Sequence, residues 1–184
     1  NTAYRHIPDL ETFRICLLFG NYPNIAHPTA MFNHLLLKKY NIEYDESYVL
    51  AQDYKMWVNC SKYAPCYNLS DVLLQYREHN KAVSTSRKQL QAGITAQIIQ
   101  EQLAALDISC SDELLKMHRN LLCERKDYNF EFKNWIKKLI CQNKIHKVYN
   151  GKKMKKILWR KWAEISYFAL AKTRNPIKIV KILL

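Results

Sequence analysis

Apolar residues recur every three or four positions through most of this chain, and that spacing predicts helices. In residues 8–19, Leu10, Phe13, Leu17 and Leu18 share one side, Asp9 stands at the N-cap position, and Gly20 and Pro23 end the run. Leu50, Tyr54, Trp57 and Val58 mark another helix within residues 48–63, which carries Asp53. Shorter apolar runs lie around it. Residues 26–32 read as a short strand, 34–39 as one or two helical turns, 41–47 as a polar loop, and 66–69 and 72–76 as two further short strands. Beyond Ser84 the pattern is helical throughout, over residues 87–106, 112–124, 129–146 and 152–172. Leu90, Ile94, Ile98 and Leu103 form the core side of the first of these helices. Ser111 caps the second, and Phe132, Trp135, Ile136, Leu139 and Ile140 line the third, whose other face is rich in lysine.

These patterns predict an α+β chain that is predominantly helical. A small mixed sheet and its helices fill residues 1–86, and a C-terminal helical annex fills residues 87–184. At 184 residues and 48% hydrophobic composition, the chain can bury a core. Only Gly20, Gly93 and Gly151 are glycines, so no glycine-rich phosphate cradle can be read. The chain also begins at Asn1 rather than Met, which fits a fragment of a longer protein. Six cysteines show no CxxC spacing and no clustering with histidine, and are read as reduced, mostly buried thiols. No apolar run reaches about 18 residues, so no membrane span is predicted.

The chemistry-bearing residues crowd into residues 24–84. His27, Asp45, Glu46, Asp53, Arg77 and His79 fall at predicted strand ends, in the polar loop and at a helix start, where rigid elements fix side chains while loops admit substrate. Singly, the carboxylates are more often caps or surface acids, and the histidines more often satisfied structural ones. Their order is more telling: His27-Pro28-Thr29-Ala30-Met31-Phe32, Tyr44-Asp45-Glu46-Ser47, Ala51-Gln52-Asp53-Tyr54 with Trp57, Asn68-Leu69, Val72-Leu73-Leu74, then Tyr76-Arg77-Glu78-His79 and Ser84. Over about residues 10–87, this succession resembles the acceptor half of bacterial family 2 glycosyltransferases of the GT-A type.

That resemblance implies an inverting, hexosyltransferase-like enzyme of polysaccharide or glycan synthesis, moving a sugar from a nucleoside-diphosphate sugar to an acceptor hydroxyl. Asp53 would be the catalytic base, His27, Tyr44, Asp45, Gln52 and Trp57 would contact acceptor or substrate, and Arg77 and His79 would lie near the diphosphate. Trp57 also fits a core position, and Arg77 and His79 also fit structural roles. The family's nucleotide pocket and metal-binding Asp-x-Asp would lie upstream. These residues alone are therefore expected to be inactive and to bind no cofactor, with Mn or Mg belonging to the full enzyme. The sequence departs from the family at Asn41-Ile42-Glu43, where a glycine pair is common, at Lys55-Met56 ahead of Trp57, and at Asn33.

Charge adds a second theme. The formal net charge is +13, and residues 147–184 hold eleven Lys and Arg against the single acid Glu164. Met154, Leu158, Trp162, Ile165 and Ala169 form an apolar stripe, while Lys152, Lys153, Lys155, Lys156, Arg160 and Lys161 cover the other sides. Asn175-Pro176 is expected to end this helix. Two readings follow: a basic amphipathic helix on an anionic membrane surface, or a helix packed on the annex with a solvated basic face. The expected location is cytoplasmic, peripheral at the inner face of the membrane. The alternative to the enzyme is a non-enzymatic basic helical module that binds anionic membranes. Nucleic acid is not an expected partner, because the first 146 residues are nearly neutral and no nucleic-acid motif accompanies the charge.

Overall fold

The computed structural model describes residues 9–20, 25–69, 71, 73–75, 87–122 and 131–172. The chain divides into two compact units, Asn1–Glu101 and Gln102–Leu184. Among the described residues every regular element is helical, and no strand or sheet is present. The expected α+β fold with a small mixed sheet is thereby corrected to a helical one.

The reason is local at the first of the expected strands. Residues 26–32 form a 3-10 turn, His27–Thr29, with Pro28 in its first positions. The Ala26 carbonyl accepts from both the Thr29 backbone N–H at 2.9 Å and the Thr29 hydroxyl at 2.8 Å, and the Ala30 N–H returns to His27 O at 3.1 Å. Backbone groups satisfied in this way, beside a proline that has no N–H, cannot extend a ladder. Residues 66–69 and 73–75 are irregular, while Val72 and Tyr76 lie outside the described residues.

In the first unit, α1 (Leu10–Leu18) starts where Asp9 accepts from Thr12 N at 3.0 Å and from the Thr12 hydroxyl at 2.8 Å. This is the cap that the sequence predicts. Phe13, Leu17 and Leu18 are buried, and α1 packs against α3 (Gln52–Cys60), whose Tyr54 hydroxyl donates to Leu17 O at 2.5 Å. Between them in sequence comes α2 (His34–Lys39), capped by Asn33, whose side chain accepts from Leu35 N and Leu36 N. Phe32, Leu36 and Leu37 pack onto the buried Ile42, Met56 and Cys60.

Helix α3 begins later than the periodicity predicts. Leu50 adopts φ +69, which breaks a helical path, and residues 45–51 form turns closed by Tyr48 N to Asp45 O and Ala51 N to Tyr48 O. The long α4 (Lys88–Ala104) supplies Ile98 and Ile99 to the first unit. Of its predicted core positions, Ile98 and Leu103 are fully buried, whereas Leu90 is exposed. The division between the units falls inside α4 rather than ahead of it.

The second unit holds α5 (Asp112–Leu121), α6 (Glu131–His146) and α7 (Gly151–Lys172). Ser111 caps α5 as predicted, accepting from Leu114 N at 3.4 Å. Phe132, Trp135, Ile136 and Leu139 of α6 are buried with Met154, Leu158 and Ile165 of α7, and these two helices pack on one another. The Trp135 indole N–H donates to Nδ1 of the fully buried His118 at 3.0 Å. Between α6 and α7, the buried Asn143 side chain holds Tyr149 at both backbone groups. Its Oδ1 accepts from Tyr149 N at 2.8 Å and its Nδ2 donates to Tyr149 O at 3.0 Å. The expected break at Asn175-Pro176 lies outside the described residues.

Candidate binding cleft

The 3-10 turn, the turns of residues 44–50 and the start of α3 converge in the first unit on an open cleft of about 470 Å³. His27, Tyr44, Asp45, Glu46, Tyr48, Val49, Leu50 and Gln52 line it. Four residues assigned to substrate contact from the sequence, His27, Tyr44, Asp45 and Gln52, are thus brought to one concavity. His27 Nε2 and the Tyr44 hydroxyl share a hydrogen bond at 2.9 Å, with ring centroids 5.4 Å apart. Burial pushes the Tyr44 phenol above its ordinary value, and the nearby Asp53 carboxylate adds to that push, so the hydroxyl stays protonated at neutral pH.

Asp53 lies in the first turn of α3, next to Gln52. Its Oδ1 accepts from Tyr54 N at 2.7 Å, so in this conformation the carboxylate is turned onto the helix N-terminus, where negative charge is favoured. Asp45 forms a local turn: its Oδ1 accepts from the Ser47 hydroxyl at 2.6 Å and from Ser47 N at 2.9 Å. These bonds hold its carboxyl below the usual carboxylate value.

Trp57 is buried, and Phe32 stacks on it with centroids 5.6 Å apart and planes at 16°. Trp57 is therefore core beneath the site, and Tyr44, which meets Phe32 edge to face at 6.3 Å, is the more exposed ring. Cys60, on the same helix, is unsuited to nucleophilic work, because burial pushes its thiol up to about 11. Arg77 and His79 lie outside the described residues. Among the described residues no group of three or more His, Cys, Asp or Glu side chains forms a metal site.

Two features of the cleft were not legible as site chemistry. The side-chain oxygen of Gln52 is buried with no hydrogen-bond partner among the described residues. A buried acceptor left unmet is costly, and the Gln52 amide would have to turn toward the cleft to meet a ligand hydroxyl. The second feature is the bracing of the cleft wall by α4. Gln91 Nε2 donates to Leu50 O at 2.9 Å, and the Tyr48 hydroxyl donates to Glu101 at 2.6 Å. Lys55 binds Glu101 and lies 4.4 Å from the centre of the Tyr48 ring. Periodicity along one segment carries no sign of such partners across 41 and 53 positions.

Compared with known proteins, the chain matches no family model, no curated protein and no solved structure.

Proposed function

We propose that the cleft of the first unit receives a polyhydroxylated acceptor for glycosyl transfer. In this reading Asp53 is the base that takes the proton from the attacking hydroxyl. The observation that carries it is the gathering of His27, Tyr44, Asp45 and Gln52 around one open cleft, with Gln52 one residue before Asp53. A sugar offers this wall several hydroxyl groups and an apolar face, which match the polar side chains of His27, Asp45 and Glu46 and the exposed Tyr44 ring.

As the acceptor oxygen attacks the anomeric carbon, the bond from that carbon to the nucleoside diphosphate breaks, the configuration inverts, and the hydroxyl proton passes to the base. Asp53 would leave its bond to Tyr54 N to reach that proton. No step is assigned to donor binding or to a metal.

The test is glycosyl transfer by the full-length protein with a panel of nucleotide sugars and Mn or Mg, comparing Asp53→Asn in folded samples. A general base contributes about 10²- to 10⁴-fold, so transfer should fall by at least about a hundredfold in the variant. Full activity in the variant removes Asp53 from the chemistry. Failure to use any donor removes the enzymatic reading.

A further inference from the structure

The two units differ sharply in charge. Residues 102–184 carry nineteen Lys and Arg against seven Asp and Glu, whereas residues 1–101 carry ten against nine. Within the second unit, α7 has its apolar stripe already covered: Met154 and Leu158 are fully buried and Ile165 is nearly so. Its Trp162 ring lies 5.5 Å from Lys133 Nζ of α6. The stripe of Met154, Leu158 and Ile165 is therefore not available to a bilayer.

Its outward side remains. Lys152 and Lys156 are exposed one turn apart, Lys155 is exposed beside them, and Arg160 continues the row one turn on. The Arg160 side chain is 79% exposed, although Glu164 pairs with it at 3.3 Å. Farther along, two aromatic rings are also outward, Tyr167 at 69% and Phe168 at 42% exposure. A helix packed along one side presents a flat strip of cations rather than a free cylinder. A planar array of phosphate headgroups can meet that strip along its length, whereas a duplex groove requires the helix to enter it.

We propose that the outward face of α7 binds the surface of an anionic phospholipid bilayer electrostatically, through Lys152, Lys155 and Lys156. This goes beyond the acceptor-cleft reading and does not depend on it. Among the described residues no helix is long and apolar enough to cross a membrane, so association would be peripheral. Binding of this kind falls as salt rises, because exposed charges are screened within about 10 Å at 0.1 M ionic strength.

Vesicle co-sedimentation of the whole chain tests it, using phosphatidylcholine vesicles with and without phosphatidylglycerol. Binding is expected only to the anionic vesicles, with loss at about 0.5 M salt. Lys152→Gln, Lys155→Gln and Lys156→Gln together should weaken it roughly a hundredfold, since each basic residue near the surface adds about a factor of five. Lys38→Gln, Lys39→Gln and Lys88→Gln, the same charge change on exposed positions of the first unit, should leave it within a few-fold. Equal binding to neutral vesicles, or wild-type binding by the α7 triple variant, overturns the proposal. Tighter binding to duplex DNA than to anionic vesicles at equal salt, lost in the same variant, would make this face a nucleic-acid surface instead.

Discussion

The Tyr48 hydroxyl donates to the Glu101 carboxylate at 2.6 Å, joining residues 53 positions apart and tying the wall of the cleft to α4. Lys55 completes the arrangement by binding the other carboxylate oxygen. Burial alone would push the Glu101 carboxyl up, but the bonds from Lys55 and Tyr48 outweigh it and hold the carboxyl below its ordinary value. A depressed carboxyl stabilises the fold fully above its unfolded value and loses that contribution as pH falls through the folded one. The stability gap between wild type and Glu101→Gln should therefore be full near neutrality and close as pH drops below about 4.5, measured by urea denaturation across pH. Tyr48→Phe removes a bond that solvent partly screens, and should cost about 1 kcal/mol.

Two glycines should respond to alanine with opposite signs. Gly20, just past α1, has φ +65, and an added Cβ would lie 3.1 Å from Ile99 Cδ1. Gly20→Ala is expected to cost about 1–2 kcal/mol, from the left-handed backbone and from displacement of a buried isoleucine. Gly93 lies within α4 with nothing within 4 Å of the added Cβ. Gly93→Ala should stabilise by about 0.5–1 kcal/mol. Thermal melts of both variants check the pair, and a shift in the same direction would contradict this placement of α4 beside the end of α1.

The turn between α6 and α7 depends on one side chain. Asn143→Ala removes both bonds to Tyr149 in a buried setting, and should cost about 2 kcal/mol or more. Asn134→Ala, at an exposed position on the same helix, should change stability by no more than about 0.5 kcal/mol. Chemical denaturation distinguishes the two.

What could be read from the sequence followed from local signals. The Asp9 and Ser111 caps are visible because the capping side chain and the N–H it satisfies lie three residues apart. The α6 core is visible because Phe132, Trp135, Ile136 and Leu139 repeat at helical spacing. The strands were misread because an apolar run of a few residues does not distinguish a ladder from an irregular segment, and Pro28 with Thr29 closed the first run into a turn. The start of α3 was misplaced because no residue type at position 50 announces a left-handed leucine. In the cleft, the sequence pointed to His27, Tyr44, Asp45 and Gln52, which do line one concavity. It also offered Trp57, whose helical spacing favours a core position and which is buried. Gln91 and Glu101 had no signal at all, because their role exists only through contact with distant turns.

The continuity of α4 has a further consequence for how the cleft can be handled as a module. A chain cut ahead of Lys88 would retain every residue that lines the concavity and lose both Gln91 and Glu101. Residues 27–52 are therefore not portable. Transplanted to another scaffold, they would carry the wall's chemistry without the helix that sets its shape, and engineering of the site has to move the first unit whole.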